Sequence, residues 1–136
     1  SIRGQQASVA ALIGNRRPRL LVVEDELVLQ KVLVMRLNID GFDVATASDG
    51  QEALAMIRAD RPDLVLTDLM MPVMDGATLT ATIKADPELK DIPVLVLTAL
   101  KEQRERDHLM SLGADAFAAK PYNSRELTEK IRNLIG

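Results

Sequence analysis

Polar residues with chemical potential recur in this chain at one kind of place, directly after short apolar runs. Leu20-Leu21-Val22-Val23 ends in Glu24-Asp25. Leu64-Val65-Leu66-Thr67 ends in Asp68. Val94-Leu95-Val96-Leu97 ends in Thr98, and Ala116-Phe117-Ala118-Ala119 ends in Lys120-Pro121. If these ends meet, three carboxylates, a hydroxyl and an ammonium share one site. Three acids within a few ångströms repel one another, and a cation makes them tolerable together. Oxygen ligands with no His or Cys beside them suit a hard cation, and Mg2+ is the default. Thr98 and Lys120 beside such a cation form an anion clamp suited to a phosphoryl group in transfer. One carboxylate then serves as the nucleophile and becomes an acyl phosphate. Asp68, expected at the tip of a central strand, is the best placed. Neither G-x-G-x-x-G nor G-x-x-x-x-G-K-[ST] occurs, so the phosphoryl group does not arrive on a nucleotide cradled by this domain.

The elements that must carry these residues alternate. Each apolar run reads as a short strand covered on both faces. After the first, Val28, Val32, Met35 and Ile39 recur at helical spacing until Gly41 ends the helix. Asp43 to Ala47 is a weaker second strand. Asp49-x-x-Glu52 resembles a capping box opening a helix to Ala59 with Leu54 and Ile57. Gly76 to Ala85 forms a short third helix. Lys101 to Leu112 is a charged fourth helix capped by Gly113. Asn123-x-x-Glu126 opens a last helix that buries Leu127, Ile131, Leu134 and Ile135. Five strands alternating with helices predict an α/β fold, a five-stranded parallel sheet with helices on both faces. A closed eight-fold barrel needs far more chain. In the open fold, sites form beyond the carboxyl ends of the strands, where the polar residues fall.

Composition narrows the classes. At 136 residues, 47% hydrophobic and 27% charged, the chain reads as one globular domain. It has no cysteine, which excludes disulfides and thiolate metal sites and fits a reducing compartment such as the cytoplasm. No apolar run approaches a membrane span, and no leader opens the sequence. Phe42, Phe117 and Tyr122 are its three aromatics, so the core is aliphatic and base-stacking nucleic-acid modules are disfavoured. Residues 1–19 hold four arginines and no acid, leaving the remainder more acidic than the net charge of −3 implies. An acidic body is a poor surface for direct nucleic-acid binding and a good host for a divalent cation. Residues 1–18 read as an N-terminal arm, a linker or a cloning remnant. Gln5 to Ile13 in it suits a short alanine-rich helix, and Gly14, Asn15 and Pro18 break it. Ser1 in place of Met is expected of a processed or excised chain.

Taken together, four pieces carry a resemblance: L-L-V-V-E-D-E at 20–26, D-L-M-M-P-V-M-D-G at 68–76, L-T-A at 97–99 and G-A-D-A-F-A-A-K-P-Y at 113–122. In order and separation they resemble the receiver domain of two-component response regulators (the CheY-like superfamily), over residues 19–136. The resemblance implies a flavodoxin-like sheet of order 2-1-3-4-5. It makes Asp68 the phospho-acceptor, supplied by a histidine kinase or a histidine phosphotransfer protein. Glu24, Asp25, Asp68 and the backbone carbonyl of Met70 would hold Mg2+. Thr98 would follow the phosphoryl group, Lys120 would pair with it, and Lys120-Pro121 would be cis. Phe117 would be the rotamer switch that works with Thr98.

Some positions depart from common family versions. Glu24 stands where Asp is frequent, Phe117 lacks the phenol of a Tyr, and Ala116 replaces a frequent Asp. Met70 and Leu100 are apolar at positions that tune phosphoryl lifetime in this family. The family's fourth-helix, fifth-strand and fifth-helix face is an output surface, and Asp115 and Arg125 suggest a phosphorylation-dependent homodimer through it. Such a domain catalyses its own phosphorylation and dephosphorylation yet is a signalling switch, not a turnover enzyme. His108, in a charged helix without partner ligands, reads as a surface residue. Two alternatives differ in kind. A degenerate receiver acting as a phosphorylation-independent scaffold should lack an acid, the hydroxyl or the lysine. An aspartyl-phosphate hydrolase should carry its nucleophile on the first strand with a second Asp two residues on, where this chain has Leu27.

Overall fold

The computed structural model describes residues 17–99 and 102–136. Within them five strands alternate with five helices. These are β1 (Arg19–Val23), α1 (Leu27–Ile39), β2 (Asp43–Ala47), α2 (Gly50–Ala59), β3 (Leu64–Asp68), α3 (Gly76–Ala85), β4 (Val94–Thr98), α4 (Gln103–Ser111), β5 (Ala116–Ala119) and α5 (Ser124–Ile135). The strands form one sheet in the order β2-β1-β3-β4-β5, every pairing parallel. Strand order reverses between β1 and β3, which places the crevice of a doubly wound fold above those two strands.

Two aliphatic layers flank the sheet. One packs Leu21, Val23, Val65, Val94 and Val96 against α2 and α3, with Leu109 of α4. The other packs Leu20, Val22, Leu64, Leu66, Leu95 and Leu97 against α1 and α5. The alternation along each strand splits these sets, because successive side chains point to opposite faces. β3 and β4 are buried along their whole length, whereas the edge strand β2 alternates exposed and covered residues. Phe42 is fully buried and the rest of the core is aliphatic, as composition requires.

Local signals place the helix ends. Asp49 Oδ1 accepts from the Glu52 N–H at 2.8 Å while the Glu52 carboxylate accepts from Ser48 N–H at 3.3 Å. Asn123 Oδ1 accepts from the N–H groups of Arg125 and Glu126. Gly41 and Gly113 both sit at φ +103°, the conformation that lets the chain leave a helix.

α1 is the exception to the sequence reading. Its spacing is helical, but Val28, Val32, Met35 and Ile39 are 73%, 51%, 66% and 75% exposed. The buried face carries Gln30, Leu33 and Leu37 instead. The segment is apolar on two opposite faces, so periodicity identifies the helix and leaves open which face the sheet covers. Leu134 and Ile135 of α5 are only partly buried. The alanine-rich segment Gln5 to Ile13 and residues Leu100 and Lys101 lie outside the described residues.

Candidate functional site

β1, β3, β4 and β5 all point their carboxyl ends the same way, because every pairing is parallel. Glu24 and Asp25 follow β1, Asp68 and Thr98 close β3 and β4, and Lys120 follows β5. Glu24, Asp68 and Thr98 are buried, at 2%, 8% and 2% exposure, and Asp25 is exposed. Each of Glu24, Asp25 and Asp68 offers a carboxylate oxygen, and these oxygens lie within 4.8 Å of one another. The Lys120 Nζ is 2.9 Å from Asp68 Oδ1 and 3.8 Å from Glu24 Oε1.

This is a charge-imbalanced site: three carboxylates face one ammonium. The consequence appears at Glu24, whose carboxyl is pushed up from 4.5 to about 7. Burial is the main cause, the Asp68 charge and a hydrogen bond with Asp68 add to it, and Lys120 and the Glu26 N–H partly oppose it. An oxygen-only cluster with one acid driven towards neutrality fits a hard divalent cation.

Several residues position the site without carrying its charge. Gln30 is buried on α1, and its amide donates to the carbonyls of Glu24 (3.0 Å) and Ala47 (3.4 Å), tying the end of β1 to α1. The sequence reading missed it; a lone polar residue in line with Leu33 and Leu37 was the available signal. Gly76 opens α3 against the backbone of Asp68. A Cβ there would lie 2.3 Å from the Asp68 carbonyl oxygen, and the Gly76 N–H donates to Leu69 O at 2.8 Å. Only glycine permits that approach. Its role was hidden inside the 68–76 motif. Asp75 caps α3 by accepting from Thr78 N–H at 2.8 Å.

Met70 lies two residues past Asp68 and is 76% exposed. The Lys120-Pro121 bond is cis. Phe117 is half-buried, with the Arg106 guanidinium 5.8 Å from its ring centroid. Phe117 pairs with Val96 and Ala119 with Thr98 across β4 and β5, so Phe117 and Thr98 share a sheet face one step apart. His108 is exposed. Asp115 is engaged within the chain: Lys84 Nζ is 2.8 Å away, and the Val94 N–H donates to it at 2.8 Å. Arg125 sits 3.8 Å from Glu129 of its own helix.

Residues 20–132 match the model of the response regulator receiver domain, and the chain belongs to that family. Receiver domains bind Mg2+ in their active sites and interact with histidine kinases or phosphotransfer proteins. The chain is 37% identical over 120 residues to "Probable transcriptional regulator ycf27" of Porphyridium aerugineum, covering 88% of this chain and 49% of that protein. It is 40% identical over 116 residues to the response regulator PleD of Caulobacter vibrioides, covering 85% and 26%. The chain thus spans about half the length, or less, of these curated relatives. Among solved structures, the receiver domain of the sensor histidine kinase PA1611 from Pseudomonas aeruginosa superposes with a TM-score of 0.81. The two share 31% identity, with coverage of 89% and 99%, and that protein holds a magnesium ion in its active-site cleft. No helix among the described residues is long and apolar enough to cross a membrane.

Proposed function

We propose that residues 19–136 form a receiver unit that takes a phosphoryl group onto Asp68 from a phosphohistidine of a histidine kinase or phosphotransfer protein. The observation that carries this reading is Asp68 itself: buried, 2.9 Å from the Lys120 ammonium, and grouped with two further carboxylates at the strand-order switch.

Glu24, Asp25, Asp68 and the Met70 backbone carbonyl would hold Mg2+, which when bound supplies positive charge to the phosphoryl oxygens. A carboxylate oxygen of Asp68 attacks phosphorus, the P–O bond forms, and the P–N bond to the donor imidazole breaks. Lys120 stays beside the new acyl phosphate and balances its charge. The Thr98 hydroxyl donates to a phosphoryl oxygen, and Phe117 turns into the space that Thr98 leaves. That re-weights two packings of the α4–β5–α5 face and does not create a new fold. The same face would serve output, including a homodimer of the phosphorylated form. Asp115 would have to give up Lys84 to join such a dimer, so a dimer built on other residues of the face is the stronger version. The domain works in the cytoplasm, without direct contact to nucleic acid.

The test is intact mass after incubation with Mg2+ and acetyl phosphate, wild type against Asp68→Asn. One hydroxylamine-labile phosphoryl group on the wild type and none on the variant is the expected result. No adduct together with no Mg2+ affinity would overturn the reading in favour of a binding scaffold.

A further inference from the structure

Val73 is the one non-glycine residue with a positive φ among the described residues, at +66°. A β-branched side chain is a steric outlier there. Burial does not hold it in place, since Val73 is 76% exposed. It sits at the centre of a three-residue turn in which the Met74 N–H donates to the Pro72 carbonyl at 2.7 Å. With a positive φ at its centre, such a turn is the rare and strained form. Strain of this kind persists only where the surroundings impose it.

The surroundings are fixed at both ends of the β3–α3 loop. At one end the Leu69 N–H donates to the Leu97 carbonyl at 3.0 Å, and the Leu69 carbonyl accepts from the Gly76 N–H at 2.8 Å. At the other, the Met74 carbonyl accepts from the N–H of Gly50, the first residue of α2, at 3.2 Å. The fit there is close: a Cβ on Gly50 would lie 2.8 Å from the Met74 carbonyl oxygen. Met71 and Met74 also pack against the core layer under α2 and α3. Residues 70–73 join these anchors. Pro72 has a locked φ, and Met71 before it is confined to extended backbone. Most of the remaining freedom lies at Met70 and Val73, so relaxation at Val73 has to be compensated at Met70.

We propose that Val73 is a positioning residue for the cation site, its strain making the β3–α3 loop a two-state element that presents or withdraws the Met70 carbonyl. In the latched state, that of this structure, Gly50 holds Met74 and Val73 is strained. In the relaxed state Val73 returns to a negative φ, the Gly50–Met74 hydrogen bond opens, and the Met70 carbonyl turns away. Only the latched state offers the complete ligand set, so its population scales the apparent affinity for Mg2+. The inference rests on the reading of the Met70 carbonyl as a Mg2+ ligand. It adds that an exposed side chain three residues further on tunes that affinity.

The test is Val73→Asn in the full chain, because Asn tolerates a positive φ. Val73→Thr is the control that adds polarity and keeps the β-branch. Metal-free thermal unfolding and calorimetric titration with Mg2+ are measured on both and on wild type. Val73→Asn should raise the unfolding midpoint by about 3–6 °C and tighten Mg2+ binding about threefold or more, while Val73→Thr follows wild type in both. The Gly50 amide should also exchange with solvent several-fold more slowly in metal-free Val73→Asn, since the latch opens less often. A more stable Val73→Asn with unchanged Mg2+ affinity would confine the strain to the turn and overturn the proposal. Equal gains from Asn and Thr, or no gain from Asn, would also overturn it. A wild type without Mg2+ affinity would instead overturn the reading of the site, and this inference with it.

Discussion

The two ends of the sheet treat charge in opposite ways. At the amino end, acids and bases are matched and mostly wet. Arg19 reaches Asp60 at 2.7 Å, its own N–H donates to Asp63, and Lys84 meets Asp115. There the carboxylates of Asp63 and Asp115 cap N–H groups of β1 and β4 that parallel pairing leaves open. At the carboxyl end, Glu24, Asp25 and Asp68 crowd around Lys120, and two of the three acids are buried. The first arrangement closes a sheet. The second costs stability in the metal-free protein, and Glu24 holds its proton up to about 7 in consequence. Strain concentrated at one pole, with ordinary pairing at the other, is the pattern of a functional site and supports the role proposed for Asp68.

That contrast can be broken from either end. The largest effect is expected from Gly76→Ala. Its Cβ would meet the Asp68 backbone at 2.3 Å, and backbone cannot yield cheaply. A loss of about 2–4 kcal/mol in denaturant unfolding is expected, with phosphoryl uptake impaired beyond the loss of fold. A near-neutral result would mean that the α3 start is not what holds Asp68.

Glu24→Gln should act in the other direction. The folded carboxyl titrates at about 7 against 4.5 for the ordinary group. Its proton is bound more tightly in the folded state, so the stabilisation is full below about 4.5 and is lost as pH rises through about 7. Metal-free Glu24→Gln should therefore exceed wild type by on the order of 1–3 kcal/mol at pH 8 and lose that advantage by pH 4.5. Wild-type Mg2+ affinity should rise over the same window, as the proton must leave first. Parallel pH profiles for the two proteins would refute the imbalance.

The amino end should respond less. Lys84→Met removes an ammonium that also donates to the Lys90 and Ile92 carbonyls, and about 1–2 kcal/mol is expected by thermal unfolding. Asp60→Ala removes an exposed partner of Arg19, and a change within about 0.5 kcal/mol is expected, shrinking further at high salt. If Asp60→Ala proved as costly as Gly76→Ala, the two poles would not differ as argued.

The order of elements and the gathering of polar side chains at the strand ends were legible in the sequence. Each apolar run stops at its polar residue in the chain itself, and once the βα alternation is recognised, parallel pairing sends those stops to one pole. Cap positions at Asp49 and Asn123 were equally local, since a side chain reaches an N–H only two or three residues away. Tertiary structure alone decided the rest. Which face of α1 meets the sheet depended on Leu20, Val22 and α5, and the apolar spacing of Val28 to Ile39 pointed to the exposed side. Gln30 and Gly76 took their positioning roles from partners six or more residues distant. The proton affinity of Glu24 came from burial beside Asp68, 44 positions along the chain. Burial and Coulomb interactions follow distance in space, and only the folded chain sets that distance.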